Sequence, residues 1–116
     1  MTTEFIQVLT TIDNPEKATA IAKTLLEKRL AACVQILGPL QSHYWWQGQQ
    51  EQSQEWLCLA KTRQELYRAV ESAIREVHSY QTPEVLAVPI LAGLPEYLAW
   101  LKQELRPPEI IDQPNH

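Results

Sequence analysis

The chain has 116 residues, of which 45% are hydrophobic and 21% charged, a composition typical of one globular domain, residues 1–116. Ten Lys and Arg against fourteen Asp and Glu give a net charge of −4, which argues against nucleic acid or an anionic membrane as partner. The first residues carry no basic region followed by a long apolar run, so we expect a cytoplasmic protein. Four Trp and four Tyr accompany only three Gly, and a chain of this size has limited interior for such rings.

The first half begins with a strand and a helix. Residues 4–11 are apolar and β-branched, which predicts a buried strand. Asn14 and Pro15 then form a helix start, because the Asn14 side chain can accept from the first turn and Pro15 has no N–H to leave unpaired. Apolar residues at helical spacing predict a helix over 15–29.

A long hairpin is predicted next. Residues 30–37 form a buried strand that Gly38-Pro39 bends, 41–47 are extended again, and 53–61 return as a third strand. Because this hairpin is longer than the helices need, we expect its far end to project with Tyr44, Trp45 and Trp46 exposed. An exposed aromatic hairpin would aggregate unless another chain covered it, so these three residues predict an oligomer interface.

The second half continues with a helix and an edge strand. Thr62 and Glu65 form a capping box for a helix over 63–77, and a polar break over 78–83 follows. Residues 84–91 predict a fourth strand that either lies at the sheet edge or ends at Pro89, because Pro89 cannot donate to a ladder.

The chain closes with a short helix and a polar tail. The helix is predicted over 95–105, with Tyr97, Leu98, Leu101 and Leu105 facing inward, and an extended tail begins at Arg106. The complete order, βαββαβ with a C-terminal helix, predicts an α+β, ferredoxin-like fold with both long helices on one face of an antiparallel sheet.

Five stretches in this order resemble the CutA family of divalent-cation tolerance proteins. They are Leu30–Val34, Ser42–Gly48, Lys61-Thr62, His78–Glu84 and Tyr97–Leu101. The resemblance covers residues 4–105 and implies a compact homotrimer similar to the PII-type signal proteins. The family name implies a role in the response to divalent metals, with copper as a bound ion.

His78 is the strongest candidate for a metal ligand, because imidazole suits copper and zinc and the residue lies in a polar segment. Glu84 would add a carboxylate. The alternative is that His78 caps the C-terminus of the preceding helix. Some CutA members have Cys where this chain has Thr10 and His where it has Val77, so only His78 remains of that implied copper site. Folding is expected to require no metal.

Lys61, Tyr80 and Glu84 lie at predicted strand ends and predict either a polar pocket between subunits or a hydrogen-bond network there. Cys33 and Cys58 alternate with apolar residues and are predicted to be core thiols in preference to metal ligands. The tryptophans are likewise assigned to interface and core packing in preference to an aromatic ligand box.

The sequence contains no nucleophile motif, phosphate loop or dinucleotide turn, so a binding protein is expected and an enzyme is not. Two functions compete. One is a CutA-type trimer in divalent-metal tolerance, and the other is a PII-like signalling or adaptor trimer that binds a metabolite or an unidentified partner protein between subunits. A pure scaffold is the least favoured.

Overall fold

A computed structural model describes residues 4–108 and confirms the α+β, ferredoxin-like arrangement. Predicted elements are present in the predicted order, and a 3₁₀ turn over Gln64–Leu66 precedes the second helix. The elements are β1 (Phe5–Ile12), α1 (Pro15–Glu27), β2 (Cys33–Trp46), β3 (Gln49–Arg63), α2 (Tyr67–Val77), β4 (Leu86–Pro89) and α3 (Pro95–Glu104).

The four strands form one antiparallel sheet in the order β2-β3-β1-β4. β4 lies at the edge and ends at Pro89, as the missing N–H predicts. The core fills the space between the sheet and the helices, because alternate strand residues meet the apolar stripes of α1 and α2. Its members include Ile6, Val8, Ile12, Ile21, Leu25, Val70 and Ile74.

α1 begins as predicted and ends two residues earlier than predicted. The Asn14 side chain accepts from the Lys17 N–H at 2.9 Å, which caps the first turn. At the other end Arg29 takes a left-handed conformation with φ 57°, and the N–H of Leu30 bonds back to the carbonyl of Leu25. This pattern is a Schellman motif, and it stops the helix at Glu27.

The hairpin is longer and more continuous than the sequence indicates. β2 continues through Gly38 and Pro39 as one strand, and a bulge-type irregularity in the β2–β3 register there absorbs the extra residue. The ladder then continues to a two-residue turn, in which Gln47 has φ 52° and Gly48 has φ 80°. Positive φ at both positions matches the twist of the two strands. At Gly38, a Cβ atom would lie 2.5 Å from Cδ1 of Trp56, so the ring occupies the space of a side chain.

The predicted capping box is wrong. Thr62 is fully buried within β3, where it pairs with Ile6 of β1, and it caps no helix. Glu65 pairs with Arg63 instead of reaching back to Thr62. Thr62 therefore belongs to β3, and α2 begins only at Tyr67.

α3 packs through a narrower stripe than predicted. Leu101 and Leu105 are buried, whereas Tyr97 is 39% exposed. Of the predicted extended tail, residues 106–108 carry no helix or strand, and the remainder lies outside the described residues. None of the helices within residues 4–108 is long and apolar enough to cross a membrane.

Candidate functional site

A cavity of ≈ 590 Å³ lies between the hairpin and the segment that joins α2 to β4. Its size falls in the range of small-molecule sites. It is lined by Thr11, Ser42, His43, Tyr44, Trp46, Glu55, Tyr80, Gln81, Thr82 and Glu84. The cavity therefore combines two carboxylates with several aromatic rings and hydroxyl groups.

The Glu55 carboxylate is the best-supported polar group of this cavity. It is only 6% exposed, and it accepts from the Ser42 hydroxyl and from the Tyr80 hydroxyl, each at 2.6 Å. The two donors bond to different carboxylate oxygens, so each oxygen keeps acceptor capacity for a further group. Three separate segments (β2, β3 and the loop before β4) thus converge on one buried charge.

Tyr80 is held as a hydrogen-bond donor. Burial raises the pKa of its phenol far above the usual value, and the bond to Glu55 and the negative charges of Glu55 and Asp13 raise it further. Its ring also meets that of His78 edge to face, with centroids 4.6 Å apart. The hydroxyl therefore stays protonated and directed at Glu55.

Both ring nitrogens of His78 are already engaged. Nε2 lies 2.8 Å from the carbonyl oxygen of Thr11, and Nδ1 accepts from the backbone N–H of Tyr80 at 3.1 Å. These partners assign the proton to Nε2 and leave neither nitrogen with a free lone pair. The alternative prediction is that His78 caps the C-terminus of α2. Its backbone does so, because the His78 N–H donates to the carbonyl of Ile74, but its ring contacts β1.

Thr11 links Glu84 to His78 by hydrogen bonds to both residues. The Thr11 hydroxyl donates to Glu84 at 3.4 Å, while its carbonyl binds the histidine ring. Thr10 is buried on the opposite face of β1. Within residues 4–108, no three His, Cys, Asp or Glu side chains are grouped so as to hold a metal ion. The residues present do not fit a copper site with His78 as a ligand.

Lys61 does not line this cavity, which lies within one subunit, and the pocket predicted between subunits stays a prediction. It lies in the middle of the sheet, opposite Cys33 and Gln7, and its ammonium group donates to the Gln35 side chain. Tyr80 and Glu84 do share the cavity. The described pocket is therefore acidic.

The aromatic residues of the hairpin divide between two faces. Tyr44 and Trp46 line the cavity, whereas Trp45 points to the other side and is 69% exposed. Of the two free cysteines, Cys58 is buried, with its thiol pKa raised to about 11 by that burial. Cys33 is half-buried.

Sequence reasoning missed Glu55 and Ser42. A signal for Glu55 was available, because the two-residue period of β3 puts it in phase with Leu57 and Leu59, on a face where a charge is unexpected. Nothing in the local sequence pairs it with Tyr80, which is 25 residues away. Only the tertiary fold brings Glu55 and Tyr80 together.

Comparisons with known proteins converge on one group. The model of the CutA1 divalent ion tolerance protein family matches residues 6–104. The divalent-cation tolerance protein CutA of Archaeoglobus fulgidus is 46% identical over 88 residues, which is 76% of this chain and 85% of that protein. The CutA of Thermus thermophilus is 44% identical over 96 residues, 83% of this chain and 93% of that protein.

Solved structures agree. The divalent cation tolerance protein of Thermus thermophilus superposes with a TM-score of 0.86 at 41% identity, covering 88% of this chain and 99% of that one. The rice CutA1 structure gives 0.87 at 38% identity, covering 90% and 96%. The Archaeoglobus fulgidus structure is described as a periplasmic protein, and the rice and Arabidopsis thaliana relatives as chloroplastic.

Proposed function

This chain belongs to the CutA1 divalent ion tolerance family, and on that premise we propose that it acts in the response to divalent ions as a homotrimer that binds a small molecule in the Glu55 cavity. The observation that carries the binding step is the buried Glu55 carboxylate at the wall of a ligand-sized cavity. A binding function, in preference to a catalytic one, is consistent with the description of the family. The cytoplasmic location and folding without metal stay predictions.

The homotrimer is supported by apolar surface that the helices leave open. The strand register puts Leu37, Leu86 and Val88 on the sheet face away from the helices, where each is at least 40% exposed. Trp45 adds a large exposed ring near the hairpin turn, on the opposite face of β2. Exposed apolar surface of this kind marks contacts between proteins, and further copies of this chain are the simplest occupants.

Light scattering tests the assembly. We expect the wild type to have the mass of a trimer. On dilution, Trp45→Ala should begin to dissociate at a higher protein concentration than the wild type does. Gln50→Ala is the matched control, because Gln50 is the exposed cross-strand partner of Trp45. A monomeric wild type, or equal assembly of the two variants, would contradict the proposal.

A metabolite screen by thermal shift tests the binding step. A ligand that binds the folded state raises the melting temperature by mass action. We expect at least one small metabolite to stabilise the wild type and to lose that effect in Trp46→Ala, which removes a wall of the cavity. Stabilisation by divalent metals alone would favour direct metal binding instead.

Direct copper binding at His78 and Glu84 is tested separately. Because both nitrogens of His78 are engaged, a bound copper ion would have to displace a hydrogen bond to Thr11 or Tyr80. We expect titration calorimetry with copper to give the same affinity for the wild type and for His78→Ala. Loss of tight binding in the variant would restore the metal-ligand hypothesis.

A further inference from the structure

We propose that the cavity selects an organic ammonium ion, a cation with a small apolar body, over neutral and anionic molecules of the same size. This inference rests on the proposed small-molecule function and adds the chemical class of the ligand. It depends on three properties of the described cavity: its charge, its walls and its volume.

The charge of the cavity is negative. Among the described residues that line it, Glu55 and Glu84 are carboxylates, His43 is the one basic side chain, and neither Lys nor Arg is present. Asp13 adds a further negative charge near Tyr80. An anion entering this space would meet two carboxylates without a Lys or Arg counter-ion, so the cavity disfavours acidic metabolites.

Glu55 provides the attraction for a positive group. Its partners are two hydroxyl groups, which carry no formal charge, although the carboxylate is nine-tenths buried. A buried ion without a counter-ion is costly, and both oxygens retain acceptor capacity. An N–H of an ammonium group would complete this coordination and neutralise the charge.

The walls suit the rest of such a molecule. Tyr44 and Trp46 are two residues apart on β2 and therefore project from the same face, and Tyr80 lines the same cavity. Aromatic rings attract cations through their negative faces and also pack against apolar groups. Glu84 is exposed and lies where the cavity meets solvent, so it would draw a cation towards Glu55.

The volume separates this ligand class from a bare metal ion. A space of ≈ 590 Å³ is far larger than a coordination sphere, and its donors are not grouped around one point. A molecule with an apolar body of several carbon atoms fills such a space, whereas a single ion leaves most of it to water.

Three probes of similar size test the selection by charge. Benzylamine, benzyl alcohol and benzoate share one ring and one side arm, but at neutral pH they are a cation, a neutral molecule and an anion. Titration calorimetry on the full-length protein in its native assembly is expected to give benzylamine at least about a tenfold tighter Kd than either analogue, which corresponds to 1.4 kcal/mol or more. Quenching of tryptophan fluorescence that is present in the wild type and reduced in Trp46→Ala gives a second readout.

Charge-neutralising variants locate the effect. Glu55→Gln is expected to bring the three probes to within about twofold of one another, because it removes the ionic contribution and keeps the shape. Should Glu55→Gln fail to fold, Glu84→Gln replaces an exposed residue and is expected to reduce the preference for benzylamine by a smaller factor. Glu51→Gln is the matched control on the same hairpin, outside the cavity lining, and should leave all three affinities unchanged.

The outcomes separate the inference from the function on which it rests. Preferential binding of benzyl alcohol or benzoate that Trp46→Ala abolishes would overturn the ammonium class and leave the small-molecule function standing. No binding of any probe would overturn the inference, and an empty metabolite screen would overturn the function as well. A preference for benzylamine that is equal in wild type and Glu55→Gln would assign the selection to another site.

Discussion

Removal of the Tyr80 hydroxyl is expected to destabilise the protein through Glu55. In Tyr80→Phe the Glu55 carboxylate, which is only 6% exposed, loses a donor at 2.6 Å and keeps the Ser42 hydroxyl as its other side-chain donor. The distance is in the short range of charge-assisted bonds. Hydrogen bonds to charged groups contribute about 1.5–3 kcal/mol, so we expect the free energy of unfolding to fall by about that amount.

Urea denaturation followed by fluorescence measures this loss, at one fixed protein concentration because the stability of an oligomer depends on concentration. Tyr44→Phe is the matched control. Its hydroxyl donates to Ser53 at 3.4 Å on the exposed hairpin, so we expect a change within about 0.5 kcal/mol. If Tyr80→Phe loses no more stability than Tyr44→Phe, the bond to Glu55 does not hold this site together.

Four further predictions concern the hairpin and the core. Gly38→Ala should cost about 1–3 kcal/mol in urea denaturation, because its Cβ would lie 2.5 Å from the Trp56 ring; wild-type stability would refute that close approach. In Gly48→Ala the added Cβ would meet no neighbouring atom, but the residue has φ 80°. The free energy of unfolding should therefore fall only by the strain of a left-handed backbone, about 1–2 kcal/mol, and a larger fall would indicate a contact of this turn. Burial raises the pKa of Cys58 from 9.0 to about 11, so its thiolate should be scarce at pH 8, and iodoacetamide should modify it only after unfolding; labelling of the native protein at the rate of a free thiol would contradict this. Because the folded-state pKa is the higher one, stability should fall as pH rises from about 9 to about 11, and by less in Cys58→Ala.

Local patterns in the sequence were sufficient for the order of elements. The cap at Asn14 and the apolar stripe of α1 are determined within a few residues, and so is the exclusion of Pro89 from an inner strand. The extent of β3 was not predictable in this way, since Gln49–Gln54 is a run of polar residues with no alternation. These residues are extended because the Gln47-Gly48 turn aligns them with β2.

The candidate site needed the register of the sheet. Tyr80 and Glu84 were chosen as polar residues near strand ends, and the structure brings both to the cavity. Lys61 satisfied the same criterion, but it lies in β3, an inner strand between β1 and β2, and its side chain bonds to Gln35. Glu55 was passed over because its partners come from segments that only the tertiary fold brings together.

The two-residue turn and the long ladder of β2 and β3 have a consequence for local opening. Among the described residues, the core between the sheet and the helices has no member in residues 35–55, which we call the outer hairpin. The outer hairpin can therefore lose its backbone hydrogen bonds without disturbing that core. Amide hydrogen exchange in a dissociated subunit should therefore be fast along the outer hairpin and slow in β1. Assembly would then slow exchange mainly in the hairpin, which makes this arm a reporter of subunit association at single-residue resolution.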